Sequence, residues 1–180
     1  IEYLHGMNII HRDLKPSNIL LNEAAVPKIA DFGVSRKAIQ TGEFTSIGTP
    51  IYLAPEVMLG KQYGKKVDVY AFGLILWMCL TGLCLSKAFG IKGKNPIQIA
   101  LKIAQQQSRP TIPSCPQWLR QLIEACWSNE PENRPNIGEV LDILDQHLAI
   151  TTTTISTTTT TIVIQQQQQN LDLQEQQQNL

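Results

Sequence analysis

His11-Arg12-Asp13-Leu14-Lys15-Pro16-Ser17-Asn18 is the stretch on which the reading of this chain turns. It gathers a histidine, two cations, a carboxylate and a carboxamide into eight residues. Alone it reads as a turn, because Asp, Asn, Pro and Ser all favour tight chain reversals through local side-chain hydrogen bonds. Its flanks are short apolar runs: Ile9-Ile10 before it, then Ile19-Leu20-Leu21 and Lys28-Ile29-Ala30 after it. Loops rich in Asp, Asn, Pro and Gly separate these runs, the pattern of short strands. Two further clusters follow, Asp31-Phe32-Gly33 directly after a strand and Ala54-Pro55-Glu56 beyond a segment without clear periodicity. Asp13 and Asp31 are 18 residues apart, and 20 residues lie between Gly33 and Ala54.

Upstream, Ile1-Glu2-Tyr3-Leu4-His5 reads as the end of a helix closed by Gly6. Downstream, helical periodicity covers about 68–81, 96–106, 116–127 and 137–148. Strands come early and helices late, which predicts an α+β lobe, mainly α-helical with a small β patch. The run from Val69 to Ser86 has eighteen residues without a charge, the lower limit for a membrane span. It reads instead as a core helix, with Asp68 capping its start and Thr81-Gly82 its stop. Leu74, Ile75 and Met78 are its expected core residues.

Fifteen basic residues balance fifteen acidic ones in 180, so no net field favours nonspecific binding to nucleic acid or anionic lipid. The four cysteines form no C-x-x-C pair and no N-x-S/T acceptor occurs; a reduced, cytoplasmic setting fits best. Composition changes near residue 150. Residues 151–180 hold nine Thr and nine Gln and no aromatic residue, too little apolar surface to offset the entropy of ordering. The expected organisation is a folded domain over residues 1–148 and a disordered Thr/Gln-rich tail over 149–180.

The pattern His-Arg-Asp-Leu, three free positions, then Asn fixes five letters in eight, which chance supplies at roughly one position in a million. With Asp31-Phe32-Gly33 and Ala54-Pro55-Glu56 in order, residues 1–148 resemble the C-terminal lobe of a eukaryotic protein kinase. The resemblance implies transfer of the ATP γ-phosphate with Mg²⁺, a reaction driven by positioning and charge neutralisation. It gives Asp13 the substrate hydroxyl and Lys15 the transferring phosphate. Asn18 and Asp31 supply oxygen ligands to Mg²⁺, a hard cation that suits them. Leu20 lies under the adenine, and Phe32, expected in the core, stacks beside His11, with Gly33 completing the motif. Arg12 pairs with a phosphate placed on Thr41, Thr45 or Ser46 by an upstream kinase or by autophosphorylation. Thr49 bridges Asp13 and Lys15. Glu56 and Arg134 form a buried ion pair, Asp68 accepts hydrogen bonds from the backbone around Arg12, Trp77 and Trp127 are core, and Cys126 is a buried small hydrophobe.

Lys15 and Gly48-Thr49-Pro50-Ile51-Tyr52-Leu53 resemble the serine/threonine type. Asp68-Val69-Tyr70-Ala71-Phe72-Gly73, Cys126-Trp127, Pro131 and Arg134-Pro135 resemble the tyrosine-kinase and tyrosine-kinase-like branches. Together they point to a tyrosine-kinase-like serine/threonine kinase acting on protein substrates in signalling. The alternatives are a dual-specificity or tyrosine kinase, a noncatalytic scaffold or pseudokinase, and an interaction protein acting through its tail. These 180 residues contain no Gly-rich loop, strand lysine or partner glutamate of an upstream lobe. The chain therefore reads as the lobe of a longer polypeptide, which would need roughly 100 further residues before Ile1, and is expected to be inactive alone. The segment from Gly82 to Asn95 departs from the usual Pro-Phe-containing loop.

Overall fold

The computed structural model describes residues 1–32, 36–37, 50–90 and 95–149, without the side chains of Arg36, Lys37 and Pro96. The element order is α1 (Glu2–Gly6), β1 (Ile9–Ile10), β2 (Ile19–Leu21), β3 (Pro27–Ile29), β4 (Arg36–Lys37), α2 (Pro55–Met58), α3 (Lys66–Thr81), α4 (Leu85–Ala88), α5 (Pro96–Gln106) and α6 (Gln117–Cys126). Short 3-10 turns occupy Pro16–Asn18, Pro50–Tyr52 and Pro131–Asn133. A last helix, α7, covers residues 137–149. The chain divides into two units, Ile1–Val140 and Leu141–Leu180; of the second, only the helical residues 141–149 are described. Of the Thr/Gln tail expected to be disordered over 149–180, Ala149 is described, as the last residue of α7, and 150–180 lie outside the described residues.

The strands form two antiparallel ribbons. In the first, Ile9 faces Lys37 and Ile10 faces Arg36. In the second, Ile19 faces Ile29, Leu20 faces Lys28 and Leu21 faces Pro27. Asn22 closes the second ribbon, its Oδ1 accepting the amides of Ala24 and Val26 at 3.1 and 2.8 Å. The third strand starts one residue earlier than expected. β4 was hidden inside the aperiodic segment, because two residues are too few to show alternation.

Helix α3 organises the lobe. Nine of its sixteen residues are buried, among them Leu74, Ile75 and Trp77, so it is apolar on nearly every face. It stops where Gly82 takes φ 65 and its amide returns to the Met78 carbonyl at 2.9 Å. Two expectations need correction here. Lys65, with no side-chain cap, stands at the N-cap, and Asp68 lies inside the first turn with its carboxylate directed elsewhere. Met78 is only partly buried; the Tyr52 hydroxyl reaches its Sδ at 3.5 Å. A third correction concerns Gly6, which ends α1 without a left-handed turn. Met7 is the C-cap, and Asn8 takes the positive φ of 62. Among the described residues no helix is long and apolar enough to cross a membrane.

Helix α6 packs on α3 at Gly73. A Cβ there would sit 2.7 Å from Cys126 Cβ, so only glycine lets the two helices meet. Trp77 and Trp127 are buried in the central core. Asn95 caps α5 by accepting the Ile97 amide at 2.9 Å. Asn136 and Glu139 exchange reciprocal hydrogen bonds of 3.0 and 2.6 Å, a capping box that starts α7.

The Glu56–Arg134 ion pair forms as expected. Arg134 Nη1 donates to Glu56 Oε1 at 2.6 Å and Nη2 to Oε2 at 2.8 Å, with both side chains buried. Arg134 also donates to the carbonyls of Ser128, Lys66 and Asn129, so every part of its fork is used. Its guanidinium lies 5.0 Å from the Tyr70 ring centroid, and that of Arg109 lies 5.1 Å from the same ring. Burial, foremost, raises the Tyr70 phenol above its ordinary range, while the two cations oppose the shift.

Arg134→Met leaves Glu56 as an uncompensated buried charge and should cost about 3–5 kcal/mol in urea unfolding; a loss under about 1 kcal/mol would contradict the role given to the pair. The four cysteines are free and supply a second test. Burial pushes the Cys126 thiol up to about 12. Exposed Cys84 is lowered, first by the Ser86 hydroxyl at 3.0 Å. Iodoacetamide at about pH 8.5 should alkylate Cys84 readily and Cys126 only on unfolding. The folded state holds the Cys126 proton more tightly than the unfolded chain does. Its contribution to stability is therefore complete below about pH 8.5 and is lost as pH rises towards 12.

Candidate active site

The turn between β1 and β2 is anchored from below by Asp68. The His11 amide donates to Asp68 Oδ2 and the Arg12 amide to Oδ1, both at 2.9 Å, and His5 Nε2 adds a third contact to Oδ2 at 2.8 Å. The carboxylate is 1% exposed, so these bonds offset its removal from water. They hold Arg12 at φ 70, a left-handed conformation that costs a non-glycine residue energy and persists only when the surroundings impose it. The Arg12 side chain is buried and donates from Nη1 to the Tyr63 hydroxyl at 3.1 Å.

Above that anchor two side chains meet on Asp13. Lys15 Nζ donates to Asp13 Oδ2 at 2.7 Å, and Asn18 Nδ2 donates to the same oxygen at 3.0 Å. Asn18 Nδ2 also donates to the Asp13 carbonyl at 2.8 Å. A backbone carbonyl only accepts, so this bond fixes which end of the Asn18 amide is nitrogen; its Oδ1 is therefore the outward acceptor. Asp13 and Asn18 are buried and Lys15 is half-buried, so the charge pair is only partly wet.

The turn carrying Asp31 is tied to the same place. The Ala30 amide donates to the Asn18 carbonyl at 2.8 Å, and His11 Nε2 contacts the Ala30 carbonyl at 3.2 Å. The His11 and Phe32 rings meet edge to face at 5.2 Å. Asp31, between these two anchored residues, has φ 62 and is exposed. Asp13, Asn18 and the Asp31 turn therefore converge. Phe32 does stack beside His11, but it is 50% exposed, which corrects its expected place in the core. Leu20 is 56% exposed on β2. Gly33, Thr41, Thr45, Ser46 and Thr49 lie outside the described residues.

His5 and Tyr63 were missed by the sequence reading. In the sequence His5 reads only as a helix end, and Tyr63 lies in an interval of Lys, Gln and Gly. No local pattern marks either, since each acts on a group more than fifty residues away.

Two oxygen donors, Asn18 Oδ1 and the Asp31 carboxylate, suit a hard divalent cation. Among the described residues no three His, Cys, Asp or Glu side chains gather to hold a metal. A cation here would complete its shell with phosphate and water, the habit of Mg²⁺ rather than of a caged transition metal.

A family model for the protein kinase domain matches residues 1–144, and the chain belongs to that family. It is 43% identical over 148 residues to a probable serine/threonine-protein kinase of Dictyostelium discoideum, covering 81% of this chain and 16% of that protein. A serine/threonine/tyrosine-protein kinase of Arabidopsis thaliana is 40% identical over 149 residues, covering 82% and 37%. A serine/threonine-protein kinase of the same plant is 40% identical over 149 residues, covering 81% and 25%. The chain thus spans well under half the length of each of these relatives.

Asp68→Asn tests the anchor. An amide cannot accept on both of its heavy atoms, so at least one amide of the His11–Arg12 pair loses its partner. Hydrogen exchange at those amides should quicken by roughly ten- to a hundredfold; unchanged exchange would show that the loop stands without Asp68.

Proposed function

We propose that this lobe is the catalytic half of a protein serine/threonine kinase that moves the γ-phosphate of ATP to Ser and Thr hydroxyls of protein substrates. The observation that carries this reading is the meeting of Lys15 and Asn18 on one Asp13 oxygen, at 2.7 and 3.0 Å. The Asp13 carboxylate, positioned from two sides, accepts the hydrogen bond and then the proton of the substrate hydroxyl as its oxygen attacks phosphorus. Lys15 presents a compact positive charge to the oxygens of the transferring group, where negative charge must be neutralised. Asn18 Oδ1 and the Asp31 carboxylate hold Mg²⁺, which when bound neutralises phosphate charge. Leu20 gives the adenine an apolar face, and its exposure leaves that face open to a ligand. Arg12 is the partner for a phosphate on Thr41, Thr45 or Ser46, added by an upstream kinase or by autophosphorylation. The setting we assign is the cytoplasm.

Acceptor choice rests on Lys15 and Thr49, together with the names of two of the relatives above. The serine/threonine/tyrosine-protein kinase of Arabidopsis thaliana is named for tyrosine as well, which favours dual specificity as the second reading.

The test uses the full-length protein with Mg-ATP and a mixed peptide library. Label should appear mainly on Ser and Thr; mainly phosphotyrosine would overturn the acceptor assignment. Asp13→Asn should lower kcat by roughly 10²–10⁴-fold with ATP affinity changed only a few-fold. Asp31→Ala should abolish transfer. Retention of half the activity in either variant would remove that residue from the mechanism, and an inactive wild-type protein that binds ATP would favour a scaffold.

A further inference from the structure

A cavity of about 320 Å³ opens beside the start of α3, bordered by the end of α1 and the start of α7. Its lining includes none of Asp13, Lys15, Asn18 or Asp31. Its size falls within the range of small-molecule pockets, about 300–1,000 Å³.

His5 lines it while being 7% exposed. The His5 Nε2 lies 2.8 Å from Asp68 Oδ2, and that carboxylate already accepts two backbone amides. Asp68 is therefore the acceptor and His5 supplies the Nε2 proton. In the neutral ring Nδ1 then carries a lone pair, and among the described residues nothing donates to it. No fully buried side-chain nitrogen or oxygen lacks a partner among these residues, so Nδ1 keeps access to solvent, and the cavity is the opening that His5 borders. A buried histidine thus turns an unused acceptor to a concavity.

The rest of the lining narrows the ligand. Val69 and Ile137 are apolar walls, 1% and 6% exposed. Gly6 leaves room: a Cβ there would meet nothing within 4 Å. Glu2 and Lys65 contribute one charge of each sign, and the Lys66 ammonium is engaged by the Arg134 carbonyl. An anion would meet Glu2 and the Nδ1 lone pair, and a cation would meet the two lysines.

We propose that this cavity binds a small uncharged aromatic molecule bearing one hydrogen-bond donor, with its ring on Val69 and Ile137 and its donor on His5 Nδ1. The proposal is independent of the kinase reading, since it needs only the His5–Asp68 pair and the cavity.

The probe is phenol, with anisole as the same ring lacking the donor. The chain holds three histidines, His5, His11 and His147, so ¹⁵N-histidine NMR resolves the reporter. Phenol should shift the His5 Nδ1 resonance saturably, with a Kd on the order of 1 mM. Anisole should bind at least tenfold more weakly. Gly6→Leu, which fills the cavity from a position with free space, should abolish the phenol response. Absence of a saturable His5 shift, an equal response to anisole, or a phenol response that persists in folded Gly6→Leu would each overturn the proposal. If Gly6→Leu does not fold, the comparison of phenol with anisole on the wild-type protein decides alone.

Discussion

The buried carboxylate of Asp68 is the constraint on which the candidate site depends. It sits in the first turn of α3, the helix around which the core is built, and takes three donors from elsewhere in the chain. A carboxylate removed from water is stable only if its lone pairs are met, so its placement dictates where His5 and the His11 and Arg12 amides must be. The left-handed Arg12 follows, and with it the direction in which Asp13 leaves the turn. The site is thus referenced to the buried central helix of the lobe rather than to a loop.

A second charge pair governs the other approach to the site. Glu56 on α2 and Arg134 beyond α6 are 78 residues apart and meet in a bidentate pair. The short turn Pro50–Tyr52 packs against the core just before α2, so the pair sets where that turn lies. Arg134 is held in turn by three carbonyls and by the face of Tyr70, itself on α3. Both charge systems converge on one helix.

Much of the lobe was legible in the sequence because its signals are local. Gly82 ends α3 where its left-handed φ is required, the helices fall close to their expected bounds, and the His11–Asn18 turn lies between the expected strands. The failures have physical causes as well. Asp68 carries the mark of an N-cap, yet an oxygen near a helix start serves whichever donors come nearest, and those come from another part of the chain. Phe32 was expected in the core because it is large and apolar, but among the described residues the one ring it meets is His11, and half of it is open.

The sequence by itself determined the chemical inventory: Asp13, Lys15 and Asn18 lie within six residues, and their order with Asp31 and Glu56 marks the family. It also determined the element types, since hydrophobic period and capping residues act over a few positions. Only the tertiary structure decided that Asn18 turns its amide nitrogen to Asp13 and its oxygen outward, that Arg12 meets Tyr63, and that His5 joins Asp68 and borders a cavity. Those contacts join residues that share no local pattern. They exist because folding brings buried donors and acceptors together, and a buried polar group must find its partner wherever in the chain it lies.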